Sequence, residues 1–553
     1  NTNNIEVLLS NQGSNPLTSV SIAWSVNGAV QTPFTWTGNL ASKATVPVTI
    51  ASNYTLSGAS IYNLQAWVEN PNSVADCNAY NDTTSLNNLV VSLCGTYTLG
   101  GANPDFASFS ELSTILNNAG VTCPVTINVR DGIYNEQFIL SNVTGNSFTN
   151  TITIQGESGD SSLAQIYWAS NAFDNNVISF SNIKGITLKD LYLRHDYYYN
   201  SSNVTDCDSV LFTNCILDRF ILQFNSSTGV SLKNNYFKNN IGYRAVNFRD
   251  NAANNEQLSI NITNNVIGNP TSDNSGYIQI TKNYSNSFKV LIDNNIFAQA
   301  GGVSSNLVSS YGYSDTLVVS NNKSIYFNDS YTVSYTIEGT QAYTTNRDYI
   351  IFKNNDLQGV KMEFYECDSI ISNRFVNIHT TNYGIQLKRK GYFANNYIDV
   401  SSSGSNDVYG LYIYENYSPI TVAHNSINHT AFSGSAMYVE SDISAGLKVK
   451  NNILYTSGGG IPLKAVTQSN VDWDYNCYYN NVGNTLASYN GNNYSSVSAL
   501  GTVLGSDANS LNLNPFFVSD TNLTINQALL QEGTLLASAP LDINGTSRTS
   551  PTT

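Results

Sequence analysis

Acid–base chemistry in this chain has few side chains to draw on. Charged residues make up 11% of the 553, with 39 Asp and Glu, 24 Lys and Arg and 4 His. Asp206 and Asp208 stand one residue apart, so in a strand their carboxylates would share a face. Asp218-Arg219, Arg244, Arg249 and Asp250 follow shortly after; Glu363, Glu366 and Asp368 form a second acidic group, and Asp472 with Asp474 a third. Two or three converging carboxylates can hydrolyse a glycosidic bond, and carboxylates holding Ca²⁺ beside an Arg or Lys base can support elimination. Taken singly, each group reads as a turn or a solvated face. Among His195, His379, His424 and His429, the candidate acid or base is His195, between Arg194 and Asp196 and beside Tyr197-Tyr198-Tyr199. His424 takes the first place of an asparagine pair and reads as structural. No glycine-rich nucleotide loop or nucleophile elbow is present, and no residue is assigned a catalytic, cofactor-binding or metal-binding role.

Binding chemistry has other candidates. Tyr311, Tyr313, Tyr331, Tyr335, Tyr409, Tyr412 and Tyr414 could offer flat rings to sugar faces, although tyrosine also favours the exterior of β-sheet. Asp76, Asn78 and Asp82 could offer oxygens to Ca²⁺, but their spacing is not that of an EF-hand and Asx residues are ordinary turn formers. No cofactor is assigned beyond that calcium candidate. A net charge of −15 argues against nucleic acid and anionic membranes as partners. Lys388-Arg389-Lys390, the one basic cluster, reads as a solvated turn. No stretch approaches the length of a membrane-spanning helix.

The elements that must position these groups announce themselves through asparagine. VSLKNNYF (230–237), INITNNVI (260–267), VLIDNNIF (290–297), LVVSNNKS (317–324) and IIFKNNDL (350–357) share one pattern, and SIISNRF (369–375), YFANNYI (392–398), ITVAHNSI (420–427) and LKVKNNIL (447–454) continue it. The last asparagines, at 235, 265, 295, 322, 355, 373, 396, 425 and 452, are separated by 18 to 33 residues. A period of this size built from alternating strands predicts a solenoid, here a right-handed parallel β-helix of about 12–16 coils over 124–480. Stacked coils bring equivalent side chains over one another, and asparagine, both donor and acceptor, can bond to its neighbours above and below while tolerating the left-handed bend of a corner. Long loops at Tyr197–Asn203 and Thr336–Arg347 should project from one flank.

Residues 1–92 alternate differently. Strands at 5–13, 19–28, 44–51 and 61–70, with an Asn-Gly turn at 27–28 and Trp24, Trp36 and Trp67 for a core, predict an antiparallel sandwich. Residues 93–123 form a connector and a capping helix. Ser108 to Glu111 is a capping box, Phe109, Leu112, Ile115, Leu116 and Ala119 recur at helical spacing, and Gly120 stops the helix. Such a helix would plug the first coil, whose core and strand edges are otherwise exposed. Cys94 and Cys123 flank this segment and could pair. Cys207 and Cys367 sit in matching Cys-Asp-Ser fragments, so they should take equivalent, buried positions. Residues 481–553 are read as the closure of the β-helix.

Two resemblances follow from these stretches. LLSNQGSNPLTSVSIAWSVNG and AWVENPNSVADCNAYNDT resemble the immunoglobulin-like, cell-adhesion-related domains of bacterial surface proteins. WDYNCYYN (473–480), LGSDANSLNLNPFFVSDTNLTI (504–525) and APLDINGTSRTSP (539–551), with the GTYTLGG and FSELSTILNNAGVTCPVTINV start, resemble secreted β-helix proteins of the pectate-lyase-like superfamily in Bacteroidota. The resemblance implies an exported, multidomain protein, here a mature piece cut from a longer chain. That superfamily contains polysaccharide lyases and hydrolases, yet the Arg-x-Pro-x-x-Arg run of pectate lyases and the Asn-Thr-Asp, Asp-Asp, Gly-His-Gly and Arg-Ile-Lys runs of polygalacturonases are absent. The expectation is therefore a secreted, non-catalytic cell-surface adhesin, or an extracellular filament or stalk component, with glycans or surface proteins as partners. The stated alternative is a polysaccharide lyase or hydrolase, or a carbohydrate-binding protein, working through a lateral groove. Self-assembly through the strand IEVLLSN, by pairing with another chain's sheet edge, is a third.

Overall fold

Alternation in the first ninety residues produces two antiparallel sheets that share one core. In the computed structural model, Thr2–Ser10 pairs with Thr45–Thr55, and Leu17–Val26 pairs with Ala29–Val30, Phe34–Leu40 and Ile61–Glu69, the last of which carries Thr83–Val90. Val20, Ile22 and Trp24 of one sheet and Val48 and Ile50 of the other close on each other, with Trp24 edge-on to Tyr54 at 4.9 Å. The structure describes residues 2–549 except 57–60, 77, 170–175, 196–200, 240–243, 251–256, 269–276, 283–286, 300–307, 312–315, 327–332, 339–348, 403, 442, 467, 528–529 and 531–532.

From Leu93 onward the chain winds into a right-handed parallel β-helix with a separate core. Each coil supplies three strands, and each stacks in register on its counterpart in the next coil. Coil by coil, a strand such as Val230–Lys233 ends at the asparagine corner and Tyr236–Lys238 leaves it. Arg244–Asp250 then runs along the flank, and Gln257–Thr263 is the next pre-corner strand. These define a pre-corner face, a post-corner face and a flank. Among the described residues the post-corner face is a single sheet of 14 parallel strands. Between 383 and 423 the flank and pre-corner strands fuse into two long bent strands, Tyr383–Ala394 and Val408–Ala423.

The two asparagines of the signature do different jobs. The first takes the left-handed conformation that turns the corner, as at Asn234, Asn264, Asn294 and Asn354, with Ser372 and His424 in the same role. The second is buried and forms the ladder. Oδ1 of Asn265 accepts both the backbone N–H (2.8 Å) and Nδ2 (3.1 Å) of Asn235, and that Nδ2 also donates to the Phe212 carbonyl (2.9 Å). The same bonds recur through Asn295, Asn322, Asn355, Asn373, Asn396, Asn425 and Asn452. Asn476, which the sequence pattern left in the closure fragment, is a further rung, and it hands the ladder to Ser510 at 2.7 Å. The side-chain amide of each rung thus has partners for both its nitrogen and its oxygen, the condition under which amides can be buried.

Both ends are closed. The helix Phe109–Ala119 starts where the capping box sets it: Ser108 Oγ accepts from Glu111 N at 3.1 Å, and Glu111 returns a bond to Ala107 N at 2.8 Å. Phe109, Leu112, Ile115 and Leu116 are buried in the core of the coils. Gly120 ends the helix at φ 73°, where a Cβ would stand 2.0 Å from the Thr144 carbonyl oxygen. A disulfide joins Cys94 to Cys123. At the far end the hairpin Ala487–Tyr489/Asn492–Tyr494 and a second helix, Val497–Leu504, cover the last coil with Leu500 and Leu504. Cys207 and Cys367 are buried at the matching flank-to-pre-corner bends, each directly after a left-handed residue, Asp206 and Glu366.

The expected loops are partly corrected. Ser201–Thr205 and Val333–Glu338 are strands paired into the flank, because their alternation satisfies the stack; the remainder of both stretches lies outside the described residues. No helix among the described residues is long and apolar enough to cross a membrane.

Candidate functional site

Five successive flank strands bring carboxylates, lysines and tyrosines together on one outer face. They are Val360–Tyr365, the first half of Tyr383–Ala394, the first half of Val408–Ala423, Gly434–Val439 and Ile461–Ala465. Met362, Ile385, Leu411, Met437 and Leu463 point inward, in register and buried. By alternation the residues beside them face out, and Glu363, Gln386, Tyr412, Tyr438 and Lys464 form one row along the axis, with Tyr365, Lys388 and Tyr414 in the next. Tyr383 and Tyr409 open their strands beside these rows.

Parallel stacking decides how the tyrosines are presented. Neighbouring coils are about 4.8 Å apart, close to the thickness of stacked rings. Tyr412 stacks on Tyr383 (5.9 Å, 26°), Tyr438 (5.5 Å, 23°), Tyr409 (5.6 Å, 27°) and Tyr414 (6.0 Å, 24°). Ammonium groups cover other ring faces: Lys361 on Tyr383 (5.1 Å), Lys388 on Tyr365 (4.4 Å) and Lys464 on Tyr438 (4.9 Å), contacts favourable for a cation over a π face. Part of the ring surface expected to be open to a sugar is thus taken up within the strip by other rings and by ammonium groups.

Carboxylates meet those hydroxyls. Tyr383 donates to Glu363, Tyr412 to Glu440 and Tyr409 to Asp407 (3.3 Å). Asp407 also accepts from Ser433 and faces Lys464 at 3.4 Å. Burial, then the adjacent carboxylate, pushes the Tyr383 and Tyr412 phenols far above their ordinary range, and burial with the Asp407 charge takes Tyr409 to about 12. The Ser433 hydroxyl, followed by Lys464, holds Asp407 below the usual carboxylate range. At neutral pH the strip thus presents protonated phenols, an ionised Asp407 and ammonium groups. The charges of Asp407 and Glu440 both bear on Tyr409 and Tyr438.

The other sequence candidates are dispersed. His195 is corrected as a catalytic candidate: it is 1% exposed, with Nε2 3.3 Å from Ser202 Oγ and its ring against Phe220. His429 is wholly buried and bonded through Nε2 to the Val408 carbonyl at 2.8 Å. His379 bonds to Ser401. His424 turns a corner as read from the sequence, and burial lowers its pKa to about 3. Asp206 lies in a bend and only Asp208 opens a strand, so the two do not share a strand face. Asp218 is buried and satisfied by Tyr192 (2.6 Å), Asn239 (2.8 Å), Arg219 and Lys238. The side chains of Arg244 and Asp250 lie outside the described residues; Arg249 sits half-buried on the flank.

Lys388-Arg389-Lys390 is corrected from a solvated turn to part of a strand. Arg389 pairs with Glu366 (3.3 Å) and Lys390 with Asp368 (2.9 Å), leaving Lys388 in the strip. Asp472 pairs with Lys450 at 2.6 Å, and Asp474 caps the chain at Asn509. Asp76 accepts from Asn78 N at 3.0 Å, an Asx turn, and the charge of Asp76 adds to the slight burial that raises Asp82. Tyr313 and Tyr331 lie outside the described residues, as do the side chains of Tyr311 and Tyr335. Sequence reasoning missed Tyr383, Tyr438, Lys361, Lys464, Asp407 and Glu440. Their signal was available only once each strand had been assigned to its coil.

No family model matches the chain, and no curated protein matches it in sequence. Among solved structures it is similar to a catalytic domain of a GH87 α-1,3-glucanase in complex with tetrasaccharides, at 10% identity and TM-score 0.29, over 93% of this chain and 90% of that one. The catalytic unit of a thermostable GH87 α-1,3-glucanase from Streptomyces thermodiastaticus gives 10% and 0.28, over 92% and 88%. A family 28 exopolygalacturonase from Yersinia enterocolitica gives 9% and 0.25, over 88% and 96%. These neighbours are named as carbohydrate-degrading enzymes, and on that finding the expectation of a non-catalytic adhesin, filament or stalk component is corrected.

Proposed function

We propose that the protein acts on polysaccharide, holding an extended glycan along the flank strip and hydrolysing it there. The observation that carries this reading is the gathering of Glu363, Asp407 and Glu440 with Lys361, Lys388 and Lys464 around stacked tyrosines, in a chain with only 11% charged residues. Carboxylates accept from sugar hydroxyls, ammonium groups donate to them, and phenol edges provide apolar contact between. Hydrolysis needs one carboxyl group to protonate the leaving oxygen and another to activate water or attack. Asp407, kept ionised, suits the second role. Glu440, which accepts from the Tyr412 hydroxyl, is assigned the first, a role it fills when it carries a proton of its own. The Cys94–Cys123 disulfide supports an oxidising, extracytoplasmic setting, which fits a secreted or surface-exposed protein with glycan partners.

Incubation of the full chain with a panel of neutral and uronate-containing polysaccharides tests the reading. The expected result is new reducing ends on at least one of them, with no rise in ultraviolet absorbance from unsaturated sugars. Products carrying that absorbance would instead identify elimination, and no product from any member would overturn the proposal.

A further inference from the structure

The C-terminal closure contains a finger that lies on the post-corner face, away from the strip. Residues 515–526 fold back on themselves, with Val518 N bonded to the Thr524 carbonyl (3.1 Å), Asn526 N to the Pro515 carbonyl (3.2 Å), and Ser519 and Asn522 exchanging backbone bonds at the tip. Leu523 is buried, Phe517 meets Tyr455 edge-on at 5.6 Å, and Tyr397 Oη is 3.5 Å from Thr524 Oγ1. Arg374 Nη2 donates to the Thr521 carbonyl at 2.8 Å.

Beneath the tip, two carboxylates share one donor. Asn428 Nδ2 stands 2.8 Å from Asp399 Oδ1 and 3.5 Å from Asp520 Oδ1. Asp399 is 6% exposed and Asn428 1%, whereas Asp520 is at the surface. Asp399 has one further donor, the Asn377 backbone N–H at 3.2 Å, while Asn428 Oδ1 is buried with no partner. The acceptors outnumber the donors, so the cluster is one proton short.

The charged and titratable groups of the packed strands do not supply it. Arg374 is engaged with Thr521 and lies 3.7 Å from Asp356; His379 is bonded to Ser401, and His429 to the Val408 carbonyl. Tyr397 and Tyr455 are phenols, and burial with the Asp520 charge contributes to raising Tyr455. No cation forms an ion pair with Asp399 or Asp520 among the described residues.

We propose that the 515–526 finger is a proton-operated strap, closed over the post-corner face when Asp399 carries a proton and lifted when Asp399 and Asp520 are both charged. A proton on Asp399 turns one acceptor into a donor, aimed at the Asp520 carboxylate or the orphaned amide oxygen. Burial, and then the Asp520 charge, raises the Asp399 carboxyl to about 7 in the closed state. The sign follows from that direction. The closed state binds the proton more tightly than the open one, so closure is favoured at low pH and weakens as pH rises through about 7. Opening would uncover Asp399, Asn428 and Tyr455, side chains that the closed finger shields.

Hydrogen exchange of the full chain between pH 5 and 9, corrected for intrinsic rates, tests the strap. The expected result is at least a tenfold loss of protection in 516–526 as pH rises through neutrality, with the ladder strands unchanged. Asp399→Asn should keep the finger protected throughout, and Asp520→Asn, which removes the opposing charge but not the burial, should shrink the pH-dependent loss of protection. Protection independent of pH in the unsubstituted chain, or a pH dependence left unchanged by either substitution, would overturn the proposal. Asp520 is exposed, so its variant gives a reading even if Asp399→Asn fails to fold.

Discussion

Asn355→Ala should lower the stability of the β-helix by about 3–5 kcal/mol. Asn355 accepts from the backbone N–H and Nδ2 of Asn322 at 3.0 Å each, and donates to the Val319 and Lys353 carbonyls. Alanine leaves the two Asn322 donors and the Val319 carbonyl without partners in a corner where Asn355 itself is 1% exposed. Unmet groups there bear their full desolvation cost, and the rungs polarise one another, so the loss exceeds that of one surface hydrogen bond. The neighbouring Asn354 is the control. It turns the corner at φ 56°, so Asn354→Ala should cost about 1–2 kcal/mol and Asn354→Gly less. Denaturant melts followed by far-ultraviolet circular dichroism separate the two. Equal costs at 354 and 355 would show that the corner conformation, rather than the ladder, dominates.

Asp407→Asn and Glu440→Gln should each reduce polysaccharide turnover by roughly 10²–10⁴-fold, the contribution usual for a positioned acid or base, while glycan affinity falls far less. Both substitutions keep the shape of the side chain, so the stacks of Tyr409, Tyr412 and Tyr438 should persist. Asp407 also gives the reaction its pH dependence. Its carboxyl is held low by Ser433 and Lys464, so the ionised form survives through mildly acidic pH and is lost only as pH falls further. The Tyr383, Tyr409 and Tyr412 phenols are raised and stay protonated to well above neutrality. Activity should therefore decline on the acid side without a phenol-linked decline between pH 7 and 9, as a pH–rate profile would show. The strap variants at Asp399 and Asp520, on another face, provide the contrast.

What the sequence made legible was local or strictly periodic. The asparagine pairs marked the corners because each corner needs a left-handed residue followed by a buried amide, and only a few residue types satisfy both demands. Ser108, Glu111 and Gly120 marked the capping helix for the same kind of reason. The functional strip was not legible, because it depends on register across coils of unequal length. Glu363 reaches Tyr383, 20 residues on, whereas Tyr412 reaches Glu440, 28 on. Insertions in the loops erase any fixed spacing, so the partners of Tyr412 cannot be read from its neighbours in the chain. His195 looked chemical beside Arg194 and a run of tyrosines, yet strand alternation turned it inward. Lys388-Arg389-Lys390 looked like an isolated basic turn because Glu366 and Asp368, which neutralise two of its members, lie on the coil before.

The most direct test of the central claim, that the flank of tyrosines, lysines and carboxylates holds a glycan, is a hydrogen-exchange footprint with an oligosaccharide released or bound in the polysaccharide panel. Slowed exchange confined to the flank strands between 360 and 465, reduced at least tenfold in apparent affinity by Tyr412→Ala and unchanged by Asp472→Asn on the pre-corner face, is the expected result. A footprint on another face, or on the flank but indifferent to Tyr412→Ala, would contradict it.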